Sequence, residues 1–178
     1  FVFAGALCLA CSLLLTAAAT GLKQVQERNV AVDRHRNILR AVGALDPESR
    51  PAPEQIESLY EEKIRRLWVD SAGKIVSGAA RSASDLPLYV YEEEDEISAY
   101  VVPINTRGLW GPIHGYLAIE DDGTTIRGFT VYKHQETPGL GGEIEKRWFQ
   151  ENFEGKKIVN QGGDFVSIAV AKGDVQEV

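Results

Sequence analysis

Gly115-Tyr116-Leu117-Ala118-Ile119, then Asp121-Asp122-Gly123, then Thr125 to Tyr132 read as two strands joined by a tight turn. From Leu86 onward the apolar side chains recur every second residue, the period of a strand with one buried face. Upstream of this hairpin, Ala99-Tyr100-Val101-Val102-Pro103-Ile104 and Leu88-Tyr89-Val90-Tyr91 give two more strands. The acidic run Glu92-Glu93-Glu94-Asp95-Glu96 between them reads as a solvated connection. Downstream, a helix is expected from about Glu143 to Phe153 and a last strand from Phe165 to Val170. Strand runs followed late by a helix point to an α+β fold: a mostly antiparallel sheet with packed helices. There is no internal repeat and no low-complexity tract.

The chain before Leu86 has a different rhythm. Leu67-Trp68-Val69, the turn Asp70-Ser71-Ala72-Gly73 and Lys74-Ile75-Val76 read as a small hairpin. Ile56, Tyr60, Lys63 and Ile64 form one side of a helix whose other side carries Glu57, Glu61 and Glu62. Before that helix, Pro47, Pro51 and Pro53 stiffen a linker that starts at Asp46. Phe1 to Leu22 contains no charged residue, and about 20 apolar residues suffice for a helix to cross a bilayer core. Ala17-Ala18-Ala19 resembles a signal-peptide cleavage site, but a signal core is usually about 7–15 residues, shorter than this run. The helical pattern also continues beyond it through Val25, Asn29, Val32, Arg36, Leu39 and Val42, which favours a retained anchor, and Gly43 supplies the stop. The expected division is residues 1–22 as transmembrane anchor, 23–53 as helix and Pro-rich linker, and 54–178 as the globular domain. Lys23, Arg28, Arg34, Arg36 and Arg40 flank the apolar run against Glu27 and Asp33. Read alone, that excess puts this flank in the cytoplasm, but the rule compares two flanks and leaves orientation open here.

A chain of 178 residues holds one domain with a core and an appendage. With 44% hydrophobic and 25% charged residues it is globular in composition. A net charge of −7 and no basic stripe exclude a nucleic-acid backbone as partner. The sequence contains no Met, so its first residue is expected to be a truncation point. Cys8 and Cys11 lie in the apolar run, where no basic group makes them thiolates, and they read as small packing residues.

Several kinds of chemistry lack their residues. His35, His114 and His134 have no second His or Cys at ligand spacing, so no protein metal site is expected. There is no GxSxG elbow, no GxGxxG after a strand and no GxxxxGK[ST]. Two stretches are unusual. In Gly108-Leu109-Trp110-Gly111-Pro112-Ile113-His114-Gly115-Tyr116, three glycines surround one large ring at the entry to a strand. A buried Trp closing the sheet end explains it as well as a ligand does. In Glu136-Thr137-Pro138-Gly139-Leu140-Gly141-Gly142-Glu143, glycines without Cβ let backbone amides approach a flat ligand, and a helix start behind them adds partial positive charge. A plain strand-to-helix turn accounts for the same letters.

These two stretches resemble the C subunit of the sodium-translocating NADH:quinone reductase (Nqr) family, and Trp148 and Gly155-Lys156-Lys157 continue the match. So does the order of anchor, helix with Arg36-Asn37-Ile38-Leu39, and linker. The resemblance covers essentially the whole chain. The G subunit of the Rnf complex shares Glu-Thr-Pro-Gly-Leu-Gly but usually lacks Gly-Leu-Trp-Gly-Pro. The resemblance implies an FMN-binding type of fold and one transmembrane helix in a bacterial inner membrane, with the domain in the periplasm. It implies an FMN joined through its phosphate to a Thr, electron transfer one electron at a time, and partners in a six-subunit membrane complex. It implies no direct NADH binding by this chain. By position it carries over Glu136, Thr137, Gly139, Leu140 and Gly141 as cofactor contacts, with Trp110 and Tyr116 beside them.

One element of the family pattern is missing. The attachment motif, Ser/Asp-Gly-Ala-Thr-x-x-Thr/Ser, is absent; Ser77-Gly78-Ala79-Ala80-Arg81-Ser82 has Ala80 where the acceptor Thr belongs and reads as a turn. The acceptor is therefore expected beyond Val178. Two other readings stay open: an Rnf-type G subunit, and a colourless membrane-anchored adaptor whose glycine loops contact a protein.

Overall fold

The computed structural model describes residues 2–76 and 81–166. A single helix, α1 (Val2–Ala41), runs without a break through the apolar segment and on past it. Its 40 residues are about 60 Å long at 1.5 Å per residue. The apolar part is long enough to cross a membrane, and none of it is buried against the protein. The last three turns behave differently: Val32, Ile38, Leu39 and Ala41, with Val42 just beyond, are buried. The helix stops where the sequence places the stop. Gly43 takes φ +74°, and the amides of Gly43 and Ala44 donate to the carbonyls of Arg40 and Leu39, a glycine C-cap.

After the linker, α2 (Pro53–Lys63) starts with Pro at its first position, and the Gln55 side chain accepts the Ala52 N–H. Five strands follow as an antiparallel meander in chain order: β1 (Ile64–Val69), β2 (Leu86–Glu93), β3 (Glu96–Arg107), β4 (Pro112–Glu120) and β5 (Ile126–Lys133). The α1 turns and Ile56 of α2 cover one face of this sheet, packing on Tyr91, Ala99, Val101, Tyr116 and Ala118. Burying each large aliphatic side chain there contributes about 1.5–3 kcal/mol. The fold class is thus α+β with an antiparallel sheet, as the period-two pattern implies.

Four local expectations are corrected. Ile64 belongs to β1, since the backbone turns extended there (φ −118°, ψ 121°) and α2 ends at Lys63. The acidic run is no loose connection. Glu92 and Glu93 end β2, Glu96 begins β3, and Glu94 and Asp95 turn the chain with φ +52° and +65°. Within it, Glu93 accepts the Tyr91 and Ser98 hydroxyls, and Glu92 pairs with Arg65. The helix of residues 143–153 is broken into a 3₁₀ turn Gly141–Glu145, a short α3 (Arg147–Gln150) and a 3₁₀ turn Glu151–Phe153. Lys146 is extended (ψ 144°) between the first two, so no helix dipole aims at the glycine loop. Of the last strand, Phe165 makes a single bridge to Val159, and the remainder past Val166 lies outside the described residues. So do Ser77-Gly78-Ala79-Ala80 of the motif look-alike.

Candidate functional site

Residues 108–111 close the β3–β4 hairpin, immediately past the Arg107–Pro112 pair. The Gly108 amide donates to the Gly111 carbonyl at 2.8 Å, which makes the turn tight and pushes Leu109 and Trp110 outward. Both are exposed, at 82% and 67%. The expected alternative of a buried Trp closing the sheet does not hold.

The second glycine stretch leaves the end of the neighbouring strand β5. Thr137 acts as the pivot: its carbonyl accepts the amides of Leu140 and Gly142. Gly139 has φ +72°, a region costly for any residue with a Cβ, and its amide has no protein acceptor among the described residues. Leu140 is exposed at the tip.

Glu136 joins the two loops. One carboxylate oxygen accepts the Trp110 amide at 3.0 Å. A Cβ on Gly108 would lie 2.2 Å from that oxygen, and one on Gly141 would lie 3.0 Å from the other. Gly111 is closed in the same way by the Gln135 side chain, at 2.1 Å. At two glycines of the first loop and one of the second, a Cβ would therefore crowd the side chains of residues 135 and 136, which would have to shift to admit it. His134 supports the arrangement by accepting the Glu136 amide at Nδ1, and its Nε2 lies 3.4 Å from Glu145. Gln135 and His134 belong to no motif; the signal that points to them is their place between the end of β5 and Glu136.

Beside these loops, on the sheet face away from α1, lies an apolar cleft of about 270 Å³. Ile104, Ile113, Leu117, Phe129 and Val131 form its floor, and Ile144, Phe149 and Phe153 of the broken helix form one wall. Ile113 also approaches Gly108, so the cleft opens directly against the first loop. An apolar slot that opens next to the first glycine loop suits a flat ring such as the isoalloxazine of FMN.

The structure brings Trp110, Glu136, Thr137, Gly139, Leu140 and Gly141 to one end of the sheet. Tyr116 is elsewhere. It is 3% exposed on the α1 face, stacked on Tyr132 at 5.2 Å and edge-on to Tyr89 at 6.0 Å. Desolvation drives its phenol far above the ordinary range. Its neighbours Gly115 and Leu117 point into the cleft instead. Among the described residues there is no cluster of His, Cys, Asp or Glu able to hold a metal.

Comparison with known proteins places the chain among flavin-binding relatives. A family described as FMN-binding domain matches residues 108–177, a span that begins at the first glycine loop. The Na(+)-translocating NADH-quinone reductase C subunit of Yersinia pestis is 30% identical over 94% of this chain and 73% of its own length. That of Neisseria meningitidis serogroup B is 32% identical over 94% and 74%. The crystal structure of the C subunit from Parabacteroides distasonis superposes with a TM-score of 0.73 at 32% identity, covering 85% of this chain and 77% of that one. Shewanella oneidensis NqrC, 24% identical with a TM-score of 0.71, shares the fold. With identity at this level across nearly the whole chain, the protein belongs to the family of C subunits of Na(+)-translocating NADH-quinone reductases.

Proposed function

We propose that this chain is the membrane-anchored electron-carrying subunit of a sodium-translocating NADH:quinone reductase, and that it holds FMN against the two glycine loops. The observation that carries this reading is the apolar cleft opening beside the first glycine loop, whose Trp110 N–H is held by Glu136. When bound, the flavin supplies the redox chemistry and accepts or gives single electrons. The chain's own part is to orient it. Gly139, Leu140 and Gly141 present backbone to a ring edge, Thr137 sets the loop, and Glu136 holds Trp110 beside it. Tyr116 contributes from below, by fixing β4 on the α1 face.

Family membership supports the finer points as proposals. The FMN is covalent, through a Thr outside Phe1–Val178. α1 is a single-pass transmembrane helix in the bacterial inner membrane, and the globular domain is periplasmic. The partners are the other subunits of a six-subunit complex, which handle NADH and quinone.

Visible absorbance of the purified full-length protein tests the reading. Flavin bands near those of free FMN are expected, and they should survive gel filtration. A colourless, folded protein would leave the adaptor reading standing instead. Protease added to intact spheroplasts should digest the globular domain; protection until lysis would reverse the proposed topology.

A further inference from the structure

The strand β5 runs down α1 toward its apolar end. Arg127 Nε donates to the Val42 carbonyl at 2.8 Å, and a Cβ on Gly128 would touch the Ala41 carbonyl. The Thr130 hydroxyl donates to the Asn37 carbonyl at 3.3 Å. Tyr132, Lys133 and the paired His114 share a pocket with Asn29, Val30 and Arg34. Each step along the strand thus meets a lower turn of the helix.

This fixes the height of the β3–β4 turn. The pocket's helix residues sit about 14 Å above Leu22, where the uncharged run ends, at 1.5 Å per residue. From His114 the strand descends further, through Pro112 to the turn, by about 10 Å at 3.3 Å per residue. Leu109 and Trp110 therefore lie about 4 Å above the end of the apolar run, whereas a bilayer's headgroup layer is about 5–7 Å thick on each side.

A second observation is the contrast between the two ends of the sheet. The far hairpin turns are acidic, with Glu94 and Asp95 at one and Asp121 and Asp122 at the other. At the membrane end the β1–β2 connection also carries Asp70, but the β3–β4 turn has no acidic side chain and exposes Leu109 and Trp110. A leucine and a tryptophan at headgroup height match the chemistry of that layer, which takes amphipathic rings and apolar tips.

We propose that the Leu109-Trp110 turn is a second membrane contact, resting in the headgroup layer of the leaflet from which α1 emerges. It rests on the reading of α1 as a transmembrane helix. The contact makes two points of support, the helix and the turn, and it limits rotation of the domain about α1. The proposed flavin loop is thereby held facing the bilayer surface.

Site-directed nitroxides test it in the full-length protein, with Cys8 and Cys11 replaced by Ala and phosphatidylcholine vesicles as the membrane. Single labels go at Leu109→Cys, Leu14→Cys and Asp121→Cys; Leu109 and Asp121 are exposed, so their labels leave the core untouched. Collision with oxygen, which concentrates in lipid, is compared with collision with a water-soluble nickel chelate. The Leu109 label should show several-fold fewer nickel collisions than the Asp121 label, and more oxygen collisions. A Leu109 label as open to nickel as Asp121, with Leu14 still in lipid, overturns the contact alone. A Leu14 label that is also open to nickel overturns the anchor reading with it. If Leu109 is shielded from both reagents in the assembled complex, a protein partner covers the turn and the lipid contact is wrong.

Discussion

The Glu136 carboxylate accepts the backbone N–H of Trp110 at 3.0 Å, tying together two glycine loops that are 26 residues apart in the chain. A carboxylate acceptor makes this bond stronger than one between neutral groups. Its second consequence is steric, because the same side chain fills the space over Gly108 and Gly141. One residue therefore both links the two loops and fills the space between their glycines.

Replacing Glu136 should separate these two roles. Glu136→Gln keeps an acceptor of the same shape and should lower stability by less than about 1 kcal/mol. Glu136→Ala removes acceptor and bulk together and should free both loops. In the full-length flavoprotein the expected order of shift in flavin potential is Ala greater than Gln. Equal spectra and potentials for both variants and the parent would show that the loops do not hold the cofactor.

The two glycines around Leu140 should fail for different reasons. Gly139 has φ +72° and open space where a Cβ would go, so Gly139→Ala should cost about 1–2 kcal/mol of backbone strain. Gly141 has no such φ, but a larger side chain meets Glu136. Gly141→Val should leave the melting temperature closer to the parent's while displacing Glu136 and exposing the flavin. Thermal melts and flavin fluorescence quenching by iodide separate the two effects. A matching loss of stability in both variants would argue against this division.

Period-two patterning made the four strands from Leu86 onward readable, because an antiparallel sheet with one covered face imposes that period. β1 was expected as an arm of a small hairpin with Lys74-Ile75-Val76, yet it pairs along β2 and meets Ile75 in a single bridge. The glycine loops were readable as unusual but not as adjacent. Their contact is made by Glu136 across two strand ends, and pairing at that distance leaves no local periodicity. Tyr116 shows the limit of carrying over a run of letters: it is contiguous with the loop motif, yet it alternates onto the α1 face with Ala118. The break at Lys146 was equally hidden. The residues from Glu143 to Phe153 are ordinary helix formers, and the apolar side chains of Ile144, Phe149 and Phe153 reach the cleft only with the helix bent around it.

Gly128 is where helix and sheet come closest. A Cβ there would lie 2.3 Å from the Ala41 carbonyl oxygen, a backbone atom with no rotamer to change. Gly128→Ala should cost about 1–3 kcal/mol by overpacking. It should also weaken the Arg127 bond to the Val42 carbonyl next to it. Denaturant unfolding should show the lost stability, and hydrogen exchange should place it in the last turns of α1. Unchanged exchange there would mean that the helix shifts at little cost.

Stability should fall at high pH in a defined window. Burial pushes the phenols of Tyr60 and Tyr91 up to about 12, and for Tyr91 the bond to Glu93 adds to the effect. A neutral phenol is thus favoured in the fold, so the contribution is fully present below the unfolded value of about 10. It is lost as pH rises from there through about 12. Melting temperatures between pH 9 and 12 should decline, and Tyr60→Phe should flatten the decline. A Tyr60→Phe variant with an identical slope would show that the Tyr60 phenol does not drive it.

Attachment of the cofactor gives the sharpest test of what this stretch of chain can do alone. A phosphoester needs an available hydroxyl within a sequence that the attaching enzyme recognises. Thr124 and Thr125 both donate their hydroxyls to Asp122, which these bonds hold far below the usual carboxylate range. The Thr130 hydroxyl is buried against the Asn37 carbonyl. Thr106 and Thr137 are exposed, but neither follows Ser-Gly-Ala or Asp-Gly-Ala. Phe1–Val178 expressed beside the attaching enzyme should therefore stay dark under ultraviolet light in a denaturing gel. A form extended to include a Ser/Asp-Gly-Ala-Thr motif should fluoresce with one FMN. Fluorescence on Phe1–Val178 that disappears in Thr137→Ala would place the attachment in the glycine loop itself. Fluorescence mapped to a peptide between Val69 and Asp85 would show that the Ser77–Ser82 run is recognised after all, through a serine in place of the missing threonine.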